Sequence, residues 1–392
     1  MEQDRTKLKL SLCSTSHFNK SWMLYIFGGL QYRFCVLILL ITVSLLSLAT
    51  KDLMAACDST ELKNTSWEQI VNPDSAGWSY EKLRDACEYS QTTDISAVVL
   101  VYRGKILYHW GNIDKKYQAH SIRKVFLSAL YGIHVDEGDI DLSKTMLELG
   151  IDDYPTPLTP TEKTATVRML LQSRSGIYIE AACEAQEAKD SRPSRGSYPP
   201  GTHFYYNNWD FNAAGTVFQE ETGVTIHEDF QNRIAVPIGM EDFVSSDVTY
   251  DFEPVSMHPC YKFRMTALDM ARFGLLYLRN GLWGQNRIIS KEWIDESTTA
   301  YSDLGEMGGF GYMWEVSING KPGDLIKGDF YWKSGYGGQM LLIVPSMDLV
   351  LVLLVDTDTG NSINGEELSN LLSMIIGARK NSILPGIMIL LN

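Results

Sequence analysis

Apolar residues along this chain fall into two spacings that exchange places from one end to the other. Ile95-Ser-Ala-Val-Val-Leu-Val-Tyr102 and Lys105-Ile-Leu-Tyr-His-Trp110 are β-rich runs on either side of Arg103-Gly104, which predicts a hairpin. From Ser121 to His134 the period becomes helical, with Val125, Phe126, Ala129, Leu130 and Ile133 on one face, and Gly138 ends the helix. Helical segments follow at Thr166 to Leu171, Asn212 to Thr222, Ile226 to Ile234, Ala267 to Arg279 and Lys291 to Ser297, with proline-rich stretches at 155–160 and 193–200 between some of them. After residue 308 the strand signal returns in Phe310 to Val316, Gln339 to Val344 and Asp348 to Val355, with Pro345-Ser346-Met347 joining the last two as a hairpin. Glu81 to Tyr89 and Glu366 to Lys380 read as an opening and a closing helix. Strands at both ends around a helical middle predict an α+β fold: one sheet built from both chain ends, interrupted by an all-α insertion. The expected α/β part covers about 78–118 and 305–382, and the helical part about 119–304.

The first 49 residues depart from this pattern. Arg5, Lys7, Lys9, Lys20 and Arg33 precede an uncharged run from Phe34 to Ala49, 16 residues long and shorter than the ~20 a spanning helix needs. Ser47-Leu48-Ala49 has the small-x-small form of a cleavage site. This segment reads as a signal peptide or a membrane anchor, so an exported location (periplasmic, extracellular or anchored facing outward) is expected. Met23 is an alternative start that leaves Arg33 as the only charge before the run. A lipoprotein reading through Met54-Ala55-Ala56-Cys57 has Lys51 and Asp52 between the cysteine and the apolar core. Residues 50–77 read as a linker, 78–382 as the folded domain, and 383–392 as an apolar tail too short to span a membrane.

Composition narrows the chemistry. The 392 residues carry a net charge of −14; the leader holds +3 of it, leaving −17 on the rest, which repels phosphate backbones. Nucleic acid is therefore excluded as an expected partner. Hydrophobic residues at 45% and charged residues at 21% support a sizeable core. The cysteines at 13, 35, 57, 87, 183 and 260 form no CxxC or Cys/His cluster, and the seven histidines show neither HxH nor HExxH, so no metal centre or cofactor is expected. The four cysteines beyond the leader are free to pair after export, although a core of this size does not require it.

Three short elements carry candidate chemistry. Ser-x-x-Lys occurs at Ser79/Lys82 and Ser121/Lys124. The first opens a helix studded with Glu81, Arg84, Asp85 and Glu88, a solvated face for which Ser79 is the N-cap. The second opens a helix with an apolar body, where Lys124 falls one turn from Ser121. Serine is a weak nucleophile that needs an adjacent base, and a buried lysine beside another cation can supply one. Pro200-Gly-Thr-His-Phe-Tyr-Tyr-Asn-Asn208 offers Tyr-x-Asn in two registers, Tyr205/Asn207 or Tyr206/Asn208: a phenol to shuttle a proton and an amide to hold a carbonyl. Trp332-Lys-Ser-Gly-Tyr-Gly-Gly-Gln339 places Lys333 and small residues on an expected edge strand, where glycine lets a ligand approach the backbone. Taken singly, these have bland readings as a helix cap, a polar aromatic turn and a glycine bulge.

Together, in this order, the three elements resemble the serine β-lactamase and penicillin-binding-protein superfamily, in the branch with class C β-lactamases, D-alanyl-D-alanine carboxypeptidases, esterases and nylon-oligomer hydrolases. His120-Ser-Ile-Arg-Lys124, Leu170-Leu-Gln-Ser-Arg-Ser-Gly176, Pro200-Gly201 and Gly335-Tyr-Gly-Gly-Gln339 extend the resemblance over about 78 to 356. It implies a mainly antiparallel sheet flanked by helices, with the site between that part and the helical part. It also implies a serine hydrolase cleaving an amide or ester through an acyl-enzyme, without a cofactor, which with the leader makes an exported enzyme the leading expectation. Family spacing selects Tyr206 and Asn208. By resemblance Ser121 is the nucleophile, Lys124 its activator and Tyr206 the proton relay. Asn208, Lys333, Ser334 and Gly335 bind substrate, a small molecule, peptide or ester. The Ser121 and Tyr336 amides form the oxyanion hole, and Ser175-Gly176 is a structural turn. Many relatives carry another residue at the Lys333 position. The competing expectation is a non-catalytic cell-envelope protein of the same fold that binds peptidoglycan, against which the intact Ser/Lys/Tyr/Asn set argues. Membrane association through the N-terminal apolar segment is the one further partner expected.

Overall fold

The computed structural model describes residues 65–322, 326 and 328–380, with Cys57 and Leu62. The leader and its apolar run, the Met54 to Ala56 stretch and the 383–392 tail lie outside the described residues. In chain order the elements begin with α1 (Tyr80–Ser90), the hairpin β1 (Ile95–Tyr102) and β2 (Lys105–Gly111), and β3 (Tyr117–Gln118). Helices α2 (Arg123–Glu137), α3 (Val167–Leu171), α4 (Gln186–Ser191), α5 (Asn208–Thr222) and α6 (Ile226–Asp229) follow. Strands β4 (Val248–Asp251) and β5 (Cys260–Met265) precede α7 (Ala267–Leu278), a small hairpin β6 (Leu282–Trp283) and β7 (Asn286–Arg287), and α8 (Lys291–Ser297). The chain closes with β8 (Ser302–Asp303), β9 (Gly309–Phe310), β10 (Glu315–Val316), β11 (Tyr331–Gly335), β12 (Gln339–Val344), β13 (Leu349–Val355) and α9 (Gly365–Gly377).

Eight strands form one antiparallel sheet in the order β2-β1-β13-β12-β11-β10-β9-β8. The seam between chain ends is β1 against β13, running from Ile95 opposite Val355 to Tyr102 opposite Leu349. Both faces are covered, which is why β1 and β13 read as continuous apolar runs rather than alternating ones. Ala97, Val99, Val101, Leu341, Val350 and Val352 face the core that contains α2 and α7. Val98, Leu100, Leu342, Leu351 and Leu353 face a second core with α1 and α9. Ser79 caps α1, its hydroxyl accepting the Lys82 amide, while Lys82 reaches the Gly377 carbonyl of α9. Part of the expected linker packs on the sheet: Ile70 N–H donates to Ile106 O, and Ile106 N–H to Glu68 O. Cys57 and Cys87 form a disulfide at the edge of the second core.

Four expectations change. The helical insertion contains a small sheet, β3-β5-β4, so it is not all-α. Phe310 to Val316 is not one strand: Gly311 N–H donates to Trp314 O across a turn, and the Tyr312 and Met313 amides donate to Ser297 and Leu171 carbonyls, docking the turn on the helical part. Helix α5 begins at Asn208 rather than Asn212, because the Asn207 side chain caps it by accepting the Trp209 amide. β11 lies between β12 and β10, not at the sheet margin, but β10 pairs only with Tyr331 and Trp332, so Lys333 to Gly335 have no strand partner on that side. Among the described residues no helix is long and apolar enough to cross a membrane.

Candidate active site

A single turn of 3-10 helix, His120–Ile122, leads into α2 and carries Ser121. Its position at a helix start invites an N-cap role, but the side chain makes no capping bond. Instead Lys124, one turn on and 1% exposed, places Nζ 2.9 Å from Ser121 Oγ. The same Nζ lies 2.8 Å from Tyr206 Oη and 3.1 Å from Asn208 Oδ1. The two Tyr-x-Asn registers therefore separate. Tyr205 Oη donates to the Ala188 carbonyl and Asn207 caps α5, while Tyr206 and Asn208 meet Lys124.

The start of α5 is held by a buried carboxyl that the sequence reading missed. Asp210 Oδ1 accepts from the Ser175 hydroxyl and from Asn207 Nδ2 at 2.8 Å, and Oδ2 accepts the Ser175 amide at 3.3 Å. Ser175, in the expected structural turn, thus ties that turn to the helix carrying Asn208. Burial pushes the Asp210 carboxyl well above the usual range, against the pull of its Ser175 and Asn207 hydrogen bonds.

β11 supplies the opposite wall. At Gly335 an added Cβ would lie 2.9 Å from Ala119 O and 3.2 Å from His120 Cβ, so only glycine lets this strand approach the turn that carries Ser121. Tyr336 follows at once, 68% exposed, its ring edge-to-face with His120 at 5.5 Å. Lys333 is fully buried and donates to Glu315 Oε1 at 2.7 Å, with Nζ 4.8 Å from the centre of the Tyr206 ring. Glu315 also accepts the Ser334 amide at 2.8 Å and lies close to the Ser334 hydroxyl. Lys333 therefore already has a carboxylate, one from its own chain.

Burial, then Arg123 and then Lys333, depress the Lys124 amine well below the ordinary lysine range. Burial also opposes charge on Lys333, but Glu315 and Tyr206 outweigh it and its affinity for a proton rises. Two lysines that each lie within 5 Å of the centre of the Tyr206 ring are thus driven in opposite directions, one toward the free amine and one toward the ammonium. Burial and Lys262 hold the His120 imidazole down at about 4, so it is neutral at ordinary pH.

Ser121, Lys124, Tyr206, Asn208, His120 and Tyr336 line a cleft of about 920 Å³, with 183–188 and with Thr357 and Asp358 after β13, while Lys333 lies behind its lining. The fold and the cleft define a serine hydrolase. The sequence model of the β-lactamase family matches residues 90–372, and this chain belongs to that family. It is similar to penicillin-binding protein 4 of Amycolatopsis lactamdurans, 21% identical over 309 residues covering 68% of this chain and 78% of that protein. Among solved structures it shares its fold with a putative 6-aminohexanoate-dimer hydrolase from Bacillus anthracis (TM-score 0.56, 20% identity, 82% of this chain and 90% of that one). A class C β-lactamase mutant superposes with a TM-score of 0.57 at 15% identity, covering 79% of this chain and all of that one.

Proposed function

We propose that this chain hydrolyses an ester or amide through an acyl-enzyme on Ser121, with Lys124 and Tyr206 as a shared proton carrier. The observation that carries the reading is the set of three partners on Lys124 Nζ at 2.8 to 3.1 Å. A neutral amine has two N–H groups and one lone pair. Asn208 Oδ1 can only accept, so it takes one N–H. The remaining N–H and the lone pair divide between the Ser121 and Tyr206 hydroxyls, each of which can donate or accept. The division that gives the lone pair to the Ser121 hydroxyl leaves Ser121 one proton transfer from an alkoxide.

In the forward step Ser121 Oγ bonds to the acyl carbon while its proton passes to Lys124. The amides of Ser121 and Tyr336 hold the charge that develops on the acyl oxygen. Tyr206 gives its proton to the leaving alcohol or amine as the bond to the acyl carbon breaks, and takes back from Lys124 the proton that came from Ser121. Water then releases the acyl group by the same relay in reverse. Asn208, Ser334 and Gly335 position the substrate. Because Glu315 already matches its charge, Lys333 acts on the Lys124 amine rather than pairing with a substrate carboxylate.

We further propose export, supported by the basic leader and the run from Phe34 to Ala49, and by a Cys57–Cys87 disulfide that suits an oxidising compartment. Cleavage gives a mature N-terminus at or near Thr50; anchoring retains the apolar run on the membrane; full-length protein free in the cytoplasm contradicts export. The chemistry is tested by intact-mass detection of adducts with a fluorophosphonate, a penicillin and p-nitrophenyl esters in parallel. Adducts with at least one acyl donor support an acyl-enzyme, and hydrolysis with no trappable adduct from any of them counts against it.

A further inference from the structure

We propose that Cys183 and Cys260 form a redox-active dithiol in the wall of the active-site cleft, closing reversibly to a disulfide and lowering turnover when they do. Both line the cleft, 77 residues apart in sequence. Asp251 of β4 lies directly across from Cys260 of β5, and Cys183 Sγ lies 3.9 Å from the Asp251 carboxylate, so Asp251 neighbours both cysteines in the wall of the cleft. Cys183 is held in place: its backbone is left-handed at φ 58, and its amide donates to Glu253 Oε1 at 2.8 Å. Cys260 Sγ sits 3.4 Å from Arg123 Nη2.

The two thiols are unequal. The hydrogen bond from Cys183 lowers Cys260 to about 6; burial opposes this, and Arg123, Lys124 and Lys262 add to it. The Cys183 thiol is held up by the same bond and by burial, so it remains the proton donor. A thiolate beside a thiol is the arrangement that reacts with a peroxide. The Cys260 thiolate bonds to one peroxide oxygen and the O–O bond breaks. The hydroxide released takes the Cys183 proton, giving water and a sulfenic acid on Cys260. The Cys183 thiolate then displaces the sulfenic oxygen, which leaves as the second water after protonation. Two thiols lose two electrons and two protons, and one peroxide becomes two waters.

Disulfide formation reaches the active site along bonded contacts. The Cys183 carbonyl accepts from Asn208 Nδ2 at 3.4 Å, and the neighbouring Ala182 carbonyl accepts from Asn212 Nδ2 at 3.0 Å. Asn212 Oδ1 in turn accepts from Arg123, the residue before Lys124. Closing the bond pulls this wall toward β5 and removes the anion that faces Arg123. The effect on turnover rests on the function proposed above, but the oxidation does not.

The experiment treats the full-length protein with hydrogen peroxide, then with dithiothreitol, and follows peptide mass and ester turnover together. The expected result is a Cys183–Cys260 cross-linked peptide, a several-fold loss of kcat/KM, and recovery of both on reduction. Cys183→Ser should keep the basal turnover, form no cross-link and lose the peroxide response; Cys260→Ser serves as the independent second variant. Separate oxidation of either cysteine, or a bond that reductant cannot reverse, overturns the dithiol. A reversible cross-link with unchanged kcat/KM overturns the regulatory effect alone. Absence of ester turnover in reduced protein counts against the proposed function, while the cross-link still reports on the dithiol.

Discussion

Lys333 Nζ lies 2.7 Å from Glu315 Oε1 and 4.8 Å from the centre of the Tyr206 ring, so its charge is matched by Glu315 while it still faces the site. As a like charge it holds the Lys124 amine down, behind burial and Arg123, whereas Glu315 raises it. Lys124 works as a base only when neutral, so kcat/KM should rise with pH through the Lys124 pKa. Lys333→Met removes a like charge and leaves Glu315, and both changes raise that pKa. The rising limb should then move to higher pH, by about one pH unit for a charge at this range. Lys333→Met with Glu315→Gln removes the raising group as well, and its limb should move less. A limb unmoved in Lys333→Met contradicts the coupling; the full pH profile of the three proteins is the measurement.

Lys124 Nζ and Tyr206 Oη lie 2.8 Å apart, and the proposed mechanism gives them one proton path. Lys124→Ala and Tyr206→Phe should each lower the acylation rate by roughly 10²–10⁴-fold, the range for a positioned acid or base. The double variant should be little slower than the worse single one, because members of one catalytic unit are not additive. Stopped-flow acylation of all four proteins checks this, and multiplying losses mean that the two residues act independently.

Asp210 is a positioning residue. Asp210→Ala leaves the Ser175 hydroxyl and amide and the Asn207 amide without their common acceptor. Unsatisfied buried groups cost about 1–3 kcal/mol each, so the melting temperature should fall clearly. Asp210→Asn, which still accepts, should recover most of the loss. Thermal unfolding measures it, and an unchanged midpoint for the alanine variant shows that the network does not hold the start of α5.

Much of this was legible beforehand because it depends on short-range spacing. Ser121 and Lys124 meet because three residues make nearly one helical turn, and β1 and β13 were visible because their apolar runs are buried on both faces. A signal for the small sheet was present in Tyr261, Phe263 and Met265 alternating with Lys262 and Arg264, but it is short and lies within a helical stretch. Glu315 had no local signal. It reaches Lys333 only because β10 and β11 pair Glu315 with Trp332, one residue from the lysine. The same holds for Cys183 and Cys260: β4 and β5 pair Asp251 with Cys260, and Cys183 reaches Asp251 from a loop far away in sequence. Adjacent tyrosines and adjacent asparagines also left two registers open by position alone, and the capping of α5 by Asn207 separates them.

The most direct test of the account is which serine carries the acyl group. The measurement is peptide mapping of the fluorophosphonate adduct in the wild-type chain, Ser121→Ala and Ser79→Ala. The account predicts one adduct, on Ser121, lost in Ser121→Ala and kept in Ser79→Ala, whose serine only caps α1. Labelling that survives in Ser121→Ala, or maps to another residue in the wild-type chain, contradicts it.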